Sequence, residues 1–226
     1  MIEDLEDCDY QFPVLDEARL RSQYQYMMEH KGDRFCMAGF GFVMFERLWS
    51  LMGMENALVS MVACPEELDA FLDRICDYYC HLIDIALEYD FDGIYFGDDW
   101  GQQKGLIMGS AHWRHFIKPR MARMYAKAKA AGKYVLQHSC GDCNEILPDL
   151  IEIGLDCYQT FQPEVYDIEK VKALYRRQAG LLGRRVHPAV PALCHTPGGQ
   201  GRSAAGSKDS AQGRRLHLGS HPCYCL

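Results

Sequence analysis

The chain has 226 residues, 48% of them hydrophobic, which suffices for the core of one large domain or two small ones and excludes a chain disordered throughout. A formal net charge of −7 argues against a polyanion such as nucleic acid as partner. There is no run of about 18 apolar residues, and residues 1–11 are acidic rather than a basic-then-apolar leader, so no membrane span and no signal peptide are expected, and the cytoplasm is the expected compartment.

The average charge conceals a break. Residues 1–175 carry 16 Lys+Arg against 30 Asp+Glu, a net of −14, whereas residues 176–226 carry 8 basic residues and one acid, a net of +7. That tail holds eight glycines and four prolines and no Ile, Met, Phe or Trp, a composition that cannot build a core of its own. The division expected is therefore a folded domain over 1–175 and a disordered Gly/Pro/Arg-rich tail over 176–226. Eleven cysteines scattered through helical and extended segments predict reduced thiols rather than a disulfide framework.

In chain order, Asp16 to His30 reads as a helix closed by Lys31-Gly32. Residues 35–42, FCMAGFGF, read as a buried strand and glycine-bearing loop; Gly39 and Gly41 lack the third glycine of a dinucleotide fingerprint. Helices follow over Val43–Leu51 and Met52–Cys64. Pro65 suits a first helical position, and apolar residues from Leu68 to Leu87 recur at three-and-four spacing, predicting a long amphipathic helix. Gly93–Phe96 is a strand, Ser110 to Ala131 a helix that Pro119 must kink or divide, and Tyr134–Gln137 a strand. Cys143–Ile153 is a helix broken near Pro148, Leu155–Tyr158 a strand and Asp167–Tyr175 a last helix. Strands alternating with helices predict parallel βα units, although only four strands are visible where a closed barrel needs eight.

In such folds the loops at the carboxyl ends of the strands meet the ligand. The strand at Gly93–Phe96 runs into Asp98-Asp99-Trp100-Gly101-Gln102-Gln103, which reads as substrate-facing: Asp98 and Asp99 as catalytic acids, Trp100, Gln102 and Gln103 as substrate contacts. The alternative is a capped helix start with solvated acids. After the next strand, His138 and Cys140 lie two residues apart in extended chain and so point the same way, as a zinc pair would, or as two packed side chains. No third ligand is identifiable in residues 1–175. Cys140 and Cys143 also form a C-x-x-C, which allows a redox dithiol. Gln162 and Glu164 follow the next strand and either contact the same substrate or introduce the last helix.

The segments DGIYFGDDWGQQKGLIMG, WRHFIKPR, AGKYVLQHSCGD, LPDLIEIGLD and FQPEV, in this order, resemble the uroporphyrinogen decarboxylase family, in particular its methyltransferase-like branch. The resemblance implies part of a (β/α)8 barrel with its site at the carboxyl ends of the strands. It implies one of two chemistries: corrinoid-linked methyl transfer with zinc held by a His-x-Cys pair, here His138 and Cys140, and a later third ligand, or decarboxylation of a porphyrinogen without metal or prosthetic group. The implied partners are a small-molecule substrate, either thiol and methyl donor or tetrapyrrole, and a corrinoid protein. Family members extend further at both ends. Read one nucleotide later, the codons for residues 180–190 can spell GFWGGVSTQQ and those for 213–224 GGGYILAPTHAI, which look like the family's final third. A frameshift near Arg176 is therefore expected, and with it an inactive truncated fragment of an active parent.

Overall fold

The computed structural model of the chain describes Leu5, residues 10–159, residues 165–167, 169 and 171, and the backbone of residues 223–225. Helix α1 (Glu17–His30) starts where the Asp16 side chain accepts from Arg19 N at 3.0 Å and places Glu17 in its first turn, both favourable at a helix amino end. Strand β1 (Cys36–Gly41) is buried along five of its six residues. It is followed by α2 (Phe45–Met52), α3 (Met54–Ala63) and the long α4 (Pro65–Leu87), with Pro65 in the first turn and Leu68, Phe71, Leu72, Ile75, Ile83 and Ala86 on its buried face.

Strand β2 (Gly93–Gly97) leads into a two-stranded hairpin, β3 (Gly101–Gln102) with β4 (Gly105–Leu106). The helix expected across Pro119 is divided into three: α5 (Gly109–His112), a π-helical stretch over Trp113–Ile117, and α6 (Lys118–Ala130) with Pro119 in its first turn. The ring thus falls where a missing N–H is tolerated. Strand β5 (Tyr134–His138), a 3₁₀ turn over Asn144–Ile146, α7 (Leu147–Glu152) with Pro148 in its first turn, and β6 (Cys157–Gln159) complete the series.

The strands order as β6-β5-β2-β1, all parallel, with helical connections between them. Residues 223–225 form β7, which pairs antiparallel with β1 although the tail was expected to carry no structure. The remainder of the 176–226 tail, and nearly all of the helix expected at Asp167–Tyr175, lie outside the described residues. Side chains alternate across the sheet. Ala38, Phe40, Ile94, Phe96, Val135 and Tyr158 face the helices in the main core, while Phe35, Met37, Leu136 and Cys157 form a separate cluster on the opposite face with Tyr95 and Tyr134 packed against it. Helices against one face and a second apolar layer on the other are the arrangement of a βα barrel, of which the described residues hold four parallel strands.

A buried guanidinium clamps α4 to α6. Arg120 donates to Asp73 Oδ1 at 3.0 Å, Asp69 Oδ1 at 2.6 Å, Phe116 O at 3.0 Å and Asp69 O at 2.8 Å, so its charge is paired and four N–H donors are engaged. Among the described cysteines, Cys64, Cys76, Cys80, Cys140 and Cys143 are free thiols, as expected; Cys36 and Cys157 are disulfide-bonded, contrary to that expectation. Among the described residues no helix is long and apolar enough to cross a membrane.

Candidate functional site

Four strands end in one layer facing the barrel interior. Gly41 pairs with Gly97, Gly97 with His138, and His138 with Gln159, so four positions of the same register stand side by side at the carboxyl end. Two of them have no side chain, and a Cβ built on Gly41 would meet nothing within 4 Å. Gly41, two strands from His138 in this layer, leaves open space, whereas a Cβ on Gly97 would meet Gly41 Cα at 3.5 Å.

The loops beyond β2 and β5 are joined by four main-chain N–H donors, two to carbonyls and two to side chains. Asp98 N donates to His138 O at 3.1 Å, Trp100 N to Ser139 Oγ at 2.9 Å, Cys140 N to Asp99 Oδ1 at 2.7 Å and Asp142 N to Gln102 O at 2.7 Å. This crossing requires glycine. A Cβ on Gly101 would sit 2.5 Å from Cys140 O and 2.7 Å from Asp142 N, and Gly141, at φ +75°, lies against the Gly101 backbone in return.

Asp98 and Asp99, adjacent in sequence, have different roles. Asp98 is fully buried; its carboxylate accepts from Phe45 N at 2.9 Å, Glu46 N at 2.8 Å and Trp100 Nε1 at 2.5 Å. The N-cap position of α2 is Met44, which has no side chain able to cap, so Asp98 supplies the missing acceptor from another loop. Burial pushes its carboxyl up to about 6, and the three N–H donors hold it from rising further. Asp98, expected to face a substrate, has its oxygens occupied by these donors and lies sealed from solvent. Trp100, expected as a substrate contact, is buried as well. Its indole is fully buried, with its centroid 5.3 Å from that of Trp113 in an edge-on contact, and belongs to the core.

Asp99 turns the other way. Its Oδ1 lies 3.4 Å from His138 Nε2, and Cys140 Sγ lies 3.5 Å from the same nitrogen. One donor atom each from Asp99, His138 and Cys140 fall within 4.8 Å of one another, a spacing that could hold a metal ion. Asp99 thus provides a third donor that sequence reasoning did not identify. Gln102 and Gln103 are exposed on the hairpin, and Gln102 is tied to the β5 loop through its main chain. Gln162 and Glu164 lie outside the described residues.

The redox-dithiol alternative does not survive. Cys143 is fully buried with its Sγ 3.4 Å from Ser139 Oγ, and burial pushes its thiol pKa up, the reverse of what a reactive dithiol needs. Cys140 is also pushed up, to about 11, by burial and by the neighbouring Asp99 and Glu46 charges. Left to itself it is a thiol at neutral pH.

Sequence reasoning missed Glu46 as a site residue. It stands in the first turn of α2, half buried, and its carboxyl is pushed up to about 7 by burial and by the charges of Asp98 and Asp99, against the Asp99 N–H that it accepts. Its entry loop is held firmly: Phe42 takes φ +55°, and Tyr79 Oη donates to the Phe42 carbonyl at 2.8 Å. No spacing in the sequence singles out Glu46, since it reaches the site through the Asp98 cap.

Parallel βα units whose strand ends converge an imidazole, a thiol and two carboxylates on open space define a barrel protein with a polar strand-end site. The chain belongs to the uroporphyrinogen decarboxylase family: the family model described as Uroporphyrinogen decarboxylase (URO-D) matches residues 4–190. A methylated-thiol–coenzyme M methyltransferase of Methanosarcina mazei is 24% identical over 108 residues, covering 48% of this chain and 28% of its own length. A methyltransferase from Methanosarcina mazei of known structure is similar with a TM-score of 0.53 and 18% identity, over 65% of this chain and 42% of that one. At that identity the second likeness is one of fold. The chain spans less than half the length of either relative, both of which are methyltransferases.

Proposed function

We propose that this strand-end site binds zinc through His138, Cys140 and Asp99 and belongs to a methyltransferase that moves a methyl group from a corrinoid partner to a small thiol. The observation that carries the reading is the convergence of the three donor atoms within 4.8 Å. The donor set fits zinc: imidazole nitrogen, thiolate sulfur and carboxylate oxygen are its three usual protein ligands, and three of them leave a position for an exogenous one. Gly41, at the same register, leaves open space at this strand end. The similarity to a methylated-thiol methyltransferase supports the reaction class.

When bound, the ion supplies Lewis acidity that favours the thiolate form of an acceptor thiol near neutral pH. The chain's own residues prepare the reaction. Cys140, whose thiol lies at about 11, would hold the ion as thiolate, its proton released to solvent. Glu46, at about 7, stands where it can take the proton of an incoming thiol. A thiolate so prepared would be the nucleophile towards the methyl group, and the demethylated corrinoid would be the leaving group. The hairpin residues Gln102 and Gln103 stand at the rim, exposed to a substrate or partner.

Zinc analysis of the purified 226-residue chain tests the reading. About one equivalent is expected, lost in His138→Ala and Asp99→Ala. Transfer from methylcobalamin to a small thiol, followed by the corrinoid absorbance, is expected to fall with the metal. A metal-free protein that decarboxylates a porphyrinogen would establish the other chemistry of the family; zinc retained in Asp99→Ala would remove the carboxylate from the ligand set.

A further inference from the structure

The interior face of the sheet holds a polar chain that the site does not yet explain. In the His138 layer, one lateral neighbour is Gly97 and the other is Gln159. His138 Nδ1 lies 3.2 Å from Gln159 Oε1. One layer below, Tyr95 Oη donates to the same Oε1 at 3.2 Å, with its ring centroid 6.5 Å from that of the imidazole. The amide oxygen accepts from Tyr95 Oη and has a second lone pair with which it can accept an Nδ1–H from His138.

We infer that Gln159, itself held by Tyr95, is the positioning residue that fixes the His138 ring with the proton on Nδ1 and presents Nε2 to Asp99 and Cys140. An imidazole whose Nδ1–H is donated carries its lone pair on Nε2, the atom 3.4 Å from Asp99 Oδ1 and 3.5 Å from Cys140 Sγ. The ring is thereby set, before any ion arrives, in the tautomer and direction that metal ligation needs. The neutrality of the partner suits the place. Asp99 and Glu46 already bring two carboxylates to this strand end, and an amide orients the ring without adding a third charge. Tyr95 contributes in turn by anchoring an amide at the end of a three-residue strand, where Gln159 is exposed.

This assignment rests on the proposed function for its purpose, but its geometry can be tested without metal. Two-bond nitrogen–proton NMR correlations of the metal-free full chain, at a pH where His138 is neutral, report which ring nitrogen carries the proton. The expected result is an Nδ1–H form of His138 in the wild type and in Gln159→Glu, which keeps an acceptor, and a shift towards Nε2–H in Gln159→Leu. Tyr95→Phe is expected to shift it part of the way. An Nε2–H form in the wild type, or a Gln159→Leu spectrum like that of the wild type, overturns the inference. Competition with a chromophoric zinc chelator supplies the second readout: Gln159→Leu is expected to weaken zinc binding about 10- to 100-fold, and Gln159→Glu to restore it. If no variant and no wild-type protein binds zinc while the tautomer follows Gln159, the positioning role stands and the metal reading falls. If zinc binds and neither readout responds to Gln159→Leu, the metal reading stands and the positioning role falls.

Discussion

Replacing Asp98 separates a structural acid from a functional one. The Asp98 carboxylate is the common acceptor for Phe45 N, Glu46 N and Trp100 Nε1, all in a region closed to water. In Asp98→Ala three donors lose their partner inside the protein, at about 1–3 kcal/mol for each buried group left unsatisfied. Removing the desolvated charge returns part of that, so a loss of about 4 kcal/mol is expected, a large fraction of the roughly 5–15 kcal/mol that holds a domain together. Asp98→Asn keeps one accepting oxygen and drops the charge, and about 1–2 kcal/mol is expected. The assay is urea unfolding followed by tryptophan emission, with the slope checked for constancy. Asp99→Ala is the control. Its side chain is 37% exposed and accepts from a single main-chain N–H, so it is expected to cost about 1 kcal/mol while abolishing zinc binding. An Asp98→Ala protein within about 1 kcal/mol of the wild type, or no less stable than Asp99→Ala, would refute the assignment of Asp98 as the cap of α2.

Further outcomes follow from the same geometry. Asp98 rises from 3.8 to about 6 and Glu46 from 4.5 to about 7 on folding, so between those values the folded chain holds protons that the unfolded chain has released. Stability is therefore fully present below about pH 4 for these two groups and is lost as pH rises to about 7, by about 3 kcal/mol for Asp98 and about 1 kcal/mol for the half-exposed Glu46 after allowing for solvent screening. Unfolding midpoints at several pH values check this, and Asp98→Asn and Glu46→Gln should each flatten the slope. Gly141→Ala forces a side chain at φ +75° into the Gly101 backbone; a loss of at least about 2–3 kcal/mol and weakened zinc binding are expected from urea unfolding and chelator competition. Arg120→Ala leaves Asp69, Asp73 and two carbonyls without their shared donor and should cost about 3–5 kcal/mol in the same unfolding assay, with Arg120→Lys recovering only part.

The elements were legible where local chemistry decides them. Pro65, Pro119 and Pro148 each fall in a first helical turn, the place their missing N–H allows, and the apolar runs at β1 and β2 are strands because nothing polar interrupts them. The His138/Cys140 approach was legible for the same reason, since residues two apart in extended chain share a side. What could not be read depends on which strands are neighbours. Asp99 and Cys140 are 41 positions apart and meet only because β2 lies beside β5. The choice between Asp98 and Asp99 was equally hidden, because the loop leaves extended geometry at that point. One local signal did exist: α2 begins at Met44-Phe45 without a Ser, Thr, Asp or Asn to cap it, so an acceptor had to come from elsewhere.

That missing cap connects the halves of the site. Asp98 holds the start of α2, and α2 carries Glu46 in its first turn, so one acid positions another. Its neighbour Asp99 accepts from Cys140 N while facing His138 Nε2, which ties the β2 loop to the β5 loop at the donor atoms themselves. Gln159 reaches the same imidazole from β6. Each donor is therefore set by a residue from a different strand end, and the spacing among them is a property of sheet adjacency rather than of any one loop. A loop substitution that preserved every named donor but opened the Gly101–Gly141 crossing would still disperse the site, because the crossing is what converts adjacent strands into adjacent ligands.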